Sequence, residues 1–240
     1  MSQVPSTEEL NLLGKYDTPT ICNVIELFDV RPRNEGYMDK CIKSCFPEMS
    51  PMVGYASTAT FRCASPKGDE SYGSLEKQVA SFSELPGPAV VVFEDLDDPN
   101  VGATFGEIMC TTYQTFGAKG LITSGAGRDL DQVRAIGFPV FTNGTNCSHG
   151  YSQIPSLNIP VQVGGLTINP GDLLHGDCNG VTTIPIEIAR EVAQLCDQYV
   201  VAESIILDYL KTDNVTPKGL TQAQKECSQV LKQLVGSKRK

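Results

Sequence analysis

The stretch AVVVFEDLDDPNVGATFGEIMCTTYQTFGAKGLITSGAGRDLDQVRAIGFPVFTN, residues 89–143, decides the fold. Its opening, Ala89 to Leu96, is a short apolar run of branched side chains, the pattern of a strand buried on both faces. Turn residues follow at Asp97-Asp98-Pro99-Asn100, and the spacing then predicts a helix from about Gly106 to Phe116, closed by Gly117. A second buried strand comes at once over Gly120 to Ser124. A short helix over Leu130 to Ile136 and a further strand over Pro139 to Asn143 complete the run. This order is a β-α-β-α unit, which requires pairing that is at least partly parallel.

Upstream, Asp17 to Phe28 reads as a helix, with Pro19 in its first turn and Ile21, Val24, Ile25 and Phe28 at helical spacing. Arg31 to Pro51 has no clear period and reads as a loop holding at most a short helix. Met52 to Cys63 reads as a strand, and Tyr72 to Leu85 as a helix ended by Pro86-Gly87-Pro88. Downstream, Asn158 to Pro185 loses the helical period. Turn signals at Gly164-Gly165, Pro170-Gly171 and Asn179-Gly180 make it an antiparallel meander. Helix returns from Ile186 to about Lys211, and Leu220 to Val235 is an amphipathic helix beyond a linker at Thr212 to Gly219. Residues 1–211 therefore read as one α/β domain, and 212–240 as a linker and C-terminal helical extension.

The 240 residues are 40% hydrophobic, 7% aromatic and 20% charged, which places them in the globular range. Nineteen Lys and Arg against 28 Asp and Glu leave a net charge of −9, so phosphate backbones and anionic membranes are repelled. Neither nucleic acid nor membrane is expected as a partner. The basic tail Lys238, Arg239 and Lys240 reads as a solubilising terminus. The nine cysteines include no Cys-x-x-Cys pair, so a disulfide framework or structural zinc site is not expected. His149 and His175, the only histidines, have no evident partner in sequence. The start MSQVPSTEELNLL is not a secretory signal and no run of about 18 apolar residues occurs, which points to the cytoplasm.

Familiar site motifs fail one by one. Gly125-Ala126-Gly127-Arg128-Asp129-Leu130 follows a strand, but a dinucleotide fingerprint needs a small residue where Leu130 stands. No Walker A loop, His-Glu-x-x-His helix or Gly-x-Ser-x-Gly elbow occurs. In a parallel sheet the loops at the carboxyl ends of strands form the ligand crevice, and two of those loops carry acids. One ends in Gly106-Glu107, where the amides of Ile108 and Met109 open a helix and can hold a carboxylate. In the other, Arg128 can clamp that carboxylate with its planar fork, and Asp129 offers a hard oxygen to Mg²⁺. Together they would make a site for a metal-chelated 2-oxo acid. Each residue also has a plainer role open to it: a capping box of Asp129 with Gln132, a surface salt bridge for Arg128, a favourable charge on the helix dipole for Glu107.

GAKGLITSGAGRD, residues 117–129, continued by Gly137-Phe-Pro-Val-Phe141, resembles the signature of the regulator-of-ribonuclease-activity A family, which includes the 4-hydroxy-4-methyl-2-oxoglutarate aldolases. Pro170-Gly-Asp172, Gly176-Asp177 and Gly180-Val-Thr-Thr-Ile-Pro185 resemble its second signature, and Phe105-Gly-Glu107 its helix start. The resemblance runs from about Tyr16 to Leu207. It implies a single-domain layered β/β/α sandwich of the swivelling-domain type with a mixed central sheet, followed by C-terminal helices, assembled as a trimer or hexamer. It further implies that Asp129 ligates a divalent metal, Mg or Mn, and that Arg128 binds substrate and stabilises an enolate. The Ile108 and Met109 amides would hold the pyruvyl carboxylate. Glu107, where some of these aldolases carry Asp, matches the acid that positions metal-bound water. Glu203, counted from Pro185, falls where an acid reaches the neighbouring subunit's site. The function implied is a metal-dependent carbon-carbon lyase acting on a 2-oxo acid, by retro-aldol cleavage or oxaloacetate decarboxylation. A non-catalytic interaction protein, like the ribonuclease-regulating members, is the alternative.

Overall fold

The computed structural model describes residues 4–66 and 73–236; Tyr72, the expected start of a helix, and the tail Lys238 to Lys240 lie outside the described residues. The chain enters through α1 (Thr7–Leu13), where the Glu9 amide donates to Ser6 Oγ and the Ser6 amide to Glu9 Oε2. Seven residues are too few for a periodic signal, and the Ser-x-x-Glu box is the local mark of this helix. In α2 (Thr18–Glu26) the Asp17 carboxylate caps the Thr20 amide at 2.9 Å, and Ile21, Val24 and Ile25 turn inward as their spacing requires. The expected loop after Arg31 contains a two-residue strand, β1 (Lys43–Ser44), that no local pattern announces.

Next come β2 (Met52–Phe61), α3 (Leu75–Ser81) and β3 (Ala89–Asp95), then β4 (Ala103–Phe105), α4 (Glu107–Thr115), β5 (Gly120–Thr123), β6 (Ala126–Gly127), α5 (Leu130–Ala135), β7 (Val140–Thr142) and β8 (Gly144–Thr145). The meander supplies β9 (Val161–Val163), β10 (Leu166–Ile168), β11 (Leu173–Asp177) and β12 (Gly180–Ile184), before α6 (Ala189–Leu210) and α7 (Pro217–Gly236).

The main sheet has the order β1-β7-β5-β3-β2-β11-β12. Its centre, β2, β3, β5 and β7, is parallel, as the alternation of strands and helices demands, while β1, β11 and β12 pair antiparallel. Successive side chains on β3 explain its unbroken apolar run. Ala89, Val91 and Phe93 pack toward the helices, whereas Val90 and Val92 pack with Val161, Val163 and Ile168 of the β9–β10 hairpin. A hairpin layer, the sheet and a helix layer give the β/β/α sandwich. The meander is divided: β9 and β10 form their own two-stranded sheet, and β11 joins the main one beside β2.

Beyond their carboxyl ends, β3, β5 and β7 each continue into a short strand, and these pair in parallel as a second sheet, β4-β6-β8. Its tight centre needs glycine: a Cβ on Gly127 would lie 2.0 Å from Phe105 Cζ. At the far end α7 starts at Pro217, earlier than expected, and lies on α6, burying Ala223 and Cys227 while Leu231 and Leu234 pack against the core. No described helix is long and apolar enough to cross a membrane.

Candidate active site

The second sheet delivers two helix starts to one place. α4 begins after β4, with Gly106 at its N-cap in extended backbone and Glu107 as its first residue. α5 begins after β6 with Asp129, a non-glycine residue in the left-handed region at φ 55°, ψ 38°. That backbone turns the Asp129 side chain away from its own helix. The expected capping box with Gln132 does not form, since Asp129 makes no side-chain cap bond to α5. Instead the Glu107 amide of α4 donates to Asp129 Oδ2 at 3.0 Å. The carboxylate thus sits at a neighbouring helix's positive end, where first-turn amides lack intrahelical partners.

Arg128 completes the group. Its Nε lies 3.7 Å from Asp129 Oδ2, and both side chains are about one-third exposed, open to a ligand. Its amide donates to the Phe105 carbonyl at 3.2 Å, which ties β6 to the strand that precedes α4. Gly106, quoted in the sequence only as part of a helix start, packs closely against both side chains. A Cβ there would stand 2.6 Å from Asp129 Oδ2 and 3.1 Å from Arg128 Nε. Glu107 is exposed, Ile108 is 78% exposed and Met109 is half-buried, so the first turn of α4 faces solvent beside Arg128 and Asp129.

All five residues expected near the site within this chain, Glu107, Ile108, Met109, Arg128 and Asp129, are therefore grouped by two backbone features, the α4 start and the left-handed turn at Asp129, and the ion pair of Arg128 is with Asp129 itself. Glu203 stands apart from them, at the seam between α6 and α7. Burial first, and the hydrogen-bonded Glu203 carboxylate second, push the Tyr199 phenol up to about 12. His175 is no ligand but a buried strut: its Nδ1 lies 2.9 Å from Thr18 Oγ1 and its Nε2 3.2 Å from the Leu13 carbonyl. All nine cysteines are free. A cavity of about 430 Å³ lies elsewhere, lined by Arg31, Asp172, Thr183 and Glu187, while Met109 lines a second of about 250 Å³ with Phe61 and Ile154.

Among the described residues no group of three or more His, Cys, Asp or Glu side chains converges on one point. A caged zinc or calcium is a poor fit. One carboxylate beside a guanidinium and an amide-lined helix start suits a hard cation that keeps most of its ligands as water and substrate oxygens.

A mixed-sheet α/β protein with an anion-accepting helix start set against an Arg-Asp pair is the class that fold and site define. The profile of the RraA-like family, described as Aldolase/RraA, matches residues 18–183, and the chain belongs to that family. A provisionally named 4-hydroxy-4-methyl-2-oxoglutarate aldolase of Halalkalibacterium halodurans is 35% identical over 107 residues, 44% of this chain and 50% of that one. The chain thus matches half the length of that relative. An uncharacterized protein of Methanocaldococcus jannaschii is 30% identical over 186 residues, 77% of this chain and 80% of that one. The solved structure of Streptomyces coelicolor RraAS2, described as an unusual member of the RNase ES inhibitor RraA protein family, superposes with a TM-score of 0.66 at 20% identity, covering 85% of this chain and 98% of that one. At that identity the last likeness speaks for the fold.

Proposed function

We propose that this protein is a divalent-metal-dependent lyase that breaks the carbon-carbon bond leading to C3 of a 2-oxo acid and releases pyruvate. The observation that carries this reading is the meeting of the Asp129 carboxylate, the Arg128 side chain and the α4 start at one point. Asp129 would hold the cation, Mg or Mn, which when bound polarises the 2-keto oxygen as a Lewis acid. The Ile108 and Met109 amides hold the substrate carboxylate, as helix starts hold anions. Arg128 donates to the keto oxygen as negative charge gathers there. In oxaloacetate the bond to the departing carboxylate breaks as CO₂ leaves. In 4-hydroxy-4-methyl-2-oxoglutarate the C4 hydroxyl passes its proton to a water held by Glu107 and the C3–C4 bond breaks, the C4 half leaving as a second pyruvate. Either route leaves the electron pair as pyruvate enolate. A water held by Glu107 then delivers the proton to C3. Glu203 reaches the site of a neighbouring subunit in a three-fold homo-oligomer, a trimer or hexamer, working in the cytoplasm.

Pyruvate release from oxaloacetate and from 4-hydroxy-4-methyl-2-oxoglutarate tests the reading, measured with Mg²⁺ or Mn²⁺ and again with EDTA. Release above the buffer rate with the same metal, abolished by chelator, is the expected result. The second reading is an interaction protein without catalysis, since the family description, Aldolase/RraA, spans both kinds of member. Metal-saturated protein that releases no pyruvate from either compound would move the reading to it. Light scattering that finds a monomer at micromolar concentration would remove the three-fold assembly and the shared Glu203 together.

A further inference from the structure

Three threonine hydroxyls are buried where the main sheet hands over to the second sheet. Thr104 and Thr123 are wholly buried and Thr142 is 5% exposed, each on a different strand, β4, β5 and β7. An apolar side chain of the same shape would fill such space without the cost of burying a hydroxyl, so the hydroxyls need an account. Their partners supply it. Between β5 and β6 the chain leaves one ladder before it joins the next, and the peptide groups of Gly125 and Ala126 would be short of partners there.

The Gly125 amide donates to Thr123 Oγ1 at 3.0 Å. The Gly125 carbonyl accepts from the Thr142 hydroxyl at 2.6 Å and from the Asn143 amide at 3.1 Å. The Ala126 carbonyl accepts from the Thr104 hydroxyl at 3.0 Å, and Thr104 Oγ1 lies 2.9 Å from Thr123 Oγ1. Each hydroxyl has one proton, so Thr104 shares its proton between the Ala126 carbonyl and Thr123 Oγ1, and Thr142 shares its own between the Gly125 carbonyl and the Gly144 carbonyl at 3.0 Å. The next residue, Gly127, is held through its carbonyl by the Asn146 amide at 3.0 Å. Sideways slack is also absent, since a Cβ on Gly125 would stand 2.5 Å from Asp95 Oδ2. The two residues that follow are Arg128 and Asp129.

We propose that Thr104, Thr123 and Thr142 are positioning residues: their hydroxyls clamp the Gly125–Ala126 backbone and thereby set the direction in which Arg128 and Asp129 leave β6. Their catalytic consequence rests on the lyase reading above, whereas the clamp itself can be observed without it. Valine is the informative replacement because it keeps the shape and removes only the hydroxyl.

The experiment compares Thr123→Val, Thr142→Val, Thr123→Ser and, as a control, Thr182→Val. Thr182 is equally buried on β12, but its hydroxyl donates to the Gly36 carbonyl, away from the site. Three quantities are read on each folded protein: amide hydrogen exchange at Arg128 and Asp129, Mn²⁺ affinity by titration, and oxaloacetate kinetics. The two clamp variants should exchange faster at Arg128 and Asp129, bind Mn²⁺ more weakly, and lose about 10- to 100-fold in kcat with KM little changed. Thr123→Ser should stay near the parent, and Thr182→Val should lose stability alone. Parent-like exchange at Arg128 and Asp129 in both clamp variants overturns the proposal, and so does an equal effect in Thr182→Val. If the parent releases no pyruvate while the clamp variants still show faster exchange, the clamp stands and the lyase reading falls. Should Thr123→Val fail to fold, Thr142→Val carries the comparison, because it removes one of the two donors to the Gly125 carbonyl and leaves the Asn143 amide.

Discussion

The Asp129 carboxylate accepts a hydrogen bond from the backbone amide of Glu107, 3.0 Å away, so the residue that opens one helix caps the start of another. This link separates a structural role for Asp129 from a metal-binding one. Asp129→Asn keeps an oxygen that can accept from the Glu107 amide, and the variant should fold with little loss of stability. Its Mg²⁺ or Mn²⁺ affinity should fall at least about tenfold, the scale on which even supporting residues of metal sites act. Metal titration and thermal unfolding check both statements, and parent-like metal binding would remove Asp129 from the site.

Arg128→Lys keeps the charge and loses the planar fork. For oxaloacetate, kcat/KM should drop by about 10- to 1,000-fold, the range for one lost donor to a developing oxyanion. Metal affinity should change little, because the positive charge beside Asp129 remains. A variant with parent kinetics would reduce Arg128 to the salt bridge seen with Asp129.

Gly106→Ala is a steric test of the same corner. Gly106 has extended backbone at φ −159°, which alanine adopts freely, so strain enters only through the new methyl group 2.6 Å from Asp129 Oδ2. The expected cost in stability is about 1–3 kcal/mol. Turnover should fall more steeply, by roughly 100-fold, as a misplacement of about 1 Å near reacting groups does. Denaturant titration beside oxaloacetate kinetics distinguishes the two losses.

His175 makes stability depend on pH. Burial lowers its pKa from the ordinary 6.5 despite opposing hydrogen bonds and the nearby carboxylates of Asp177 and Asp17. The folded state therefore holds the ring neutral while the unfolded chain protonates it below about pH 6.5, and stability contributed by the neutral ring is lost as pH falls through that value. Urea midpoints at about pH 7.5 and about pH 5.5 should differ, the lower pH being less stable, and His175→Asn should flatten most of that difference. An unchanged slope in the variant would assign the effect to other groups.

Thiol reactivity reports the packing. Cys41, Cys147 and Cys178 are exposed, whereas Cys63, Cys110, Cys196 and Cys227 are buried. Burial pushes the Cys63 and Cys196 thiols up to about 12 and the half-buried Cys45 up to about 11, leaving almost no thiolate at neutral pH. The three exposed thiols should react rapidly with an aromatic disulfide reagent, and all nine after denaturation. Rapid reaction at Cys63 or Cys196 in the native protein would contradict the packing.

Local sequence determined the parallel centre of this fold and the two loops that bear the site. The run of branched residues in β3, the helical spacing in α2 and the punctuation at Gly117 are each set by contacts within a few residues, so they survive translation into sequence pattern. Arg128 and Asp129 are adjacent in the sequence, but their ion pair with each other is a finding of the structure. What only the tertiary structure decided lies between distant segments. β4, β6 and β8 are two or three residues long, too short for any period, and exist because β3, β5 and β7 already lie side by side. β11 reaches β2 across more than a hundred residues, and His175 finds its partners 157 and 162 residues away. Asp129 reads locally as the cap of the helix it precedes, but its left-handed backbone and the amide of Glu107, 22 residues back, turn it toward α4. A hydrogen bond satisfied across the chain outcompetes one offered within it when the fold has already brought the distant donor into place, and no window of neighbouring residues contains that information.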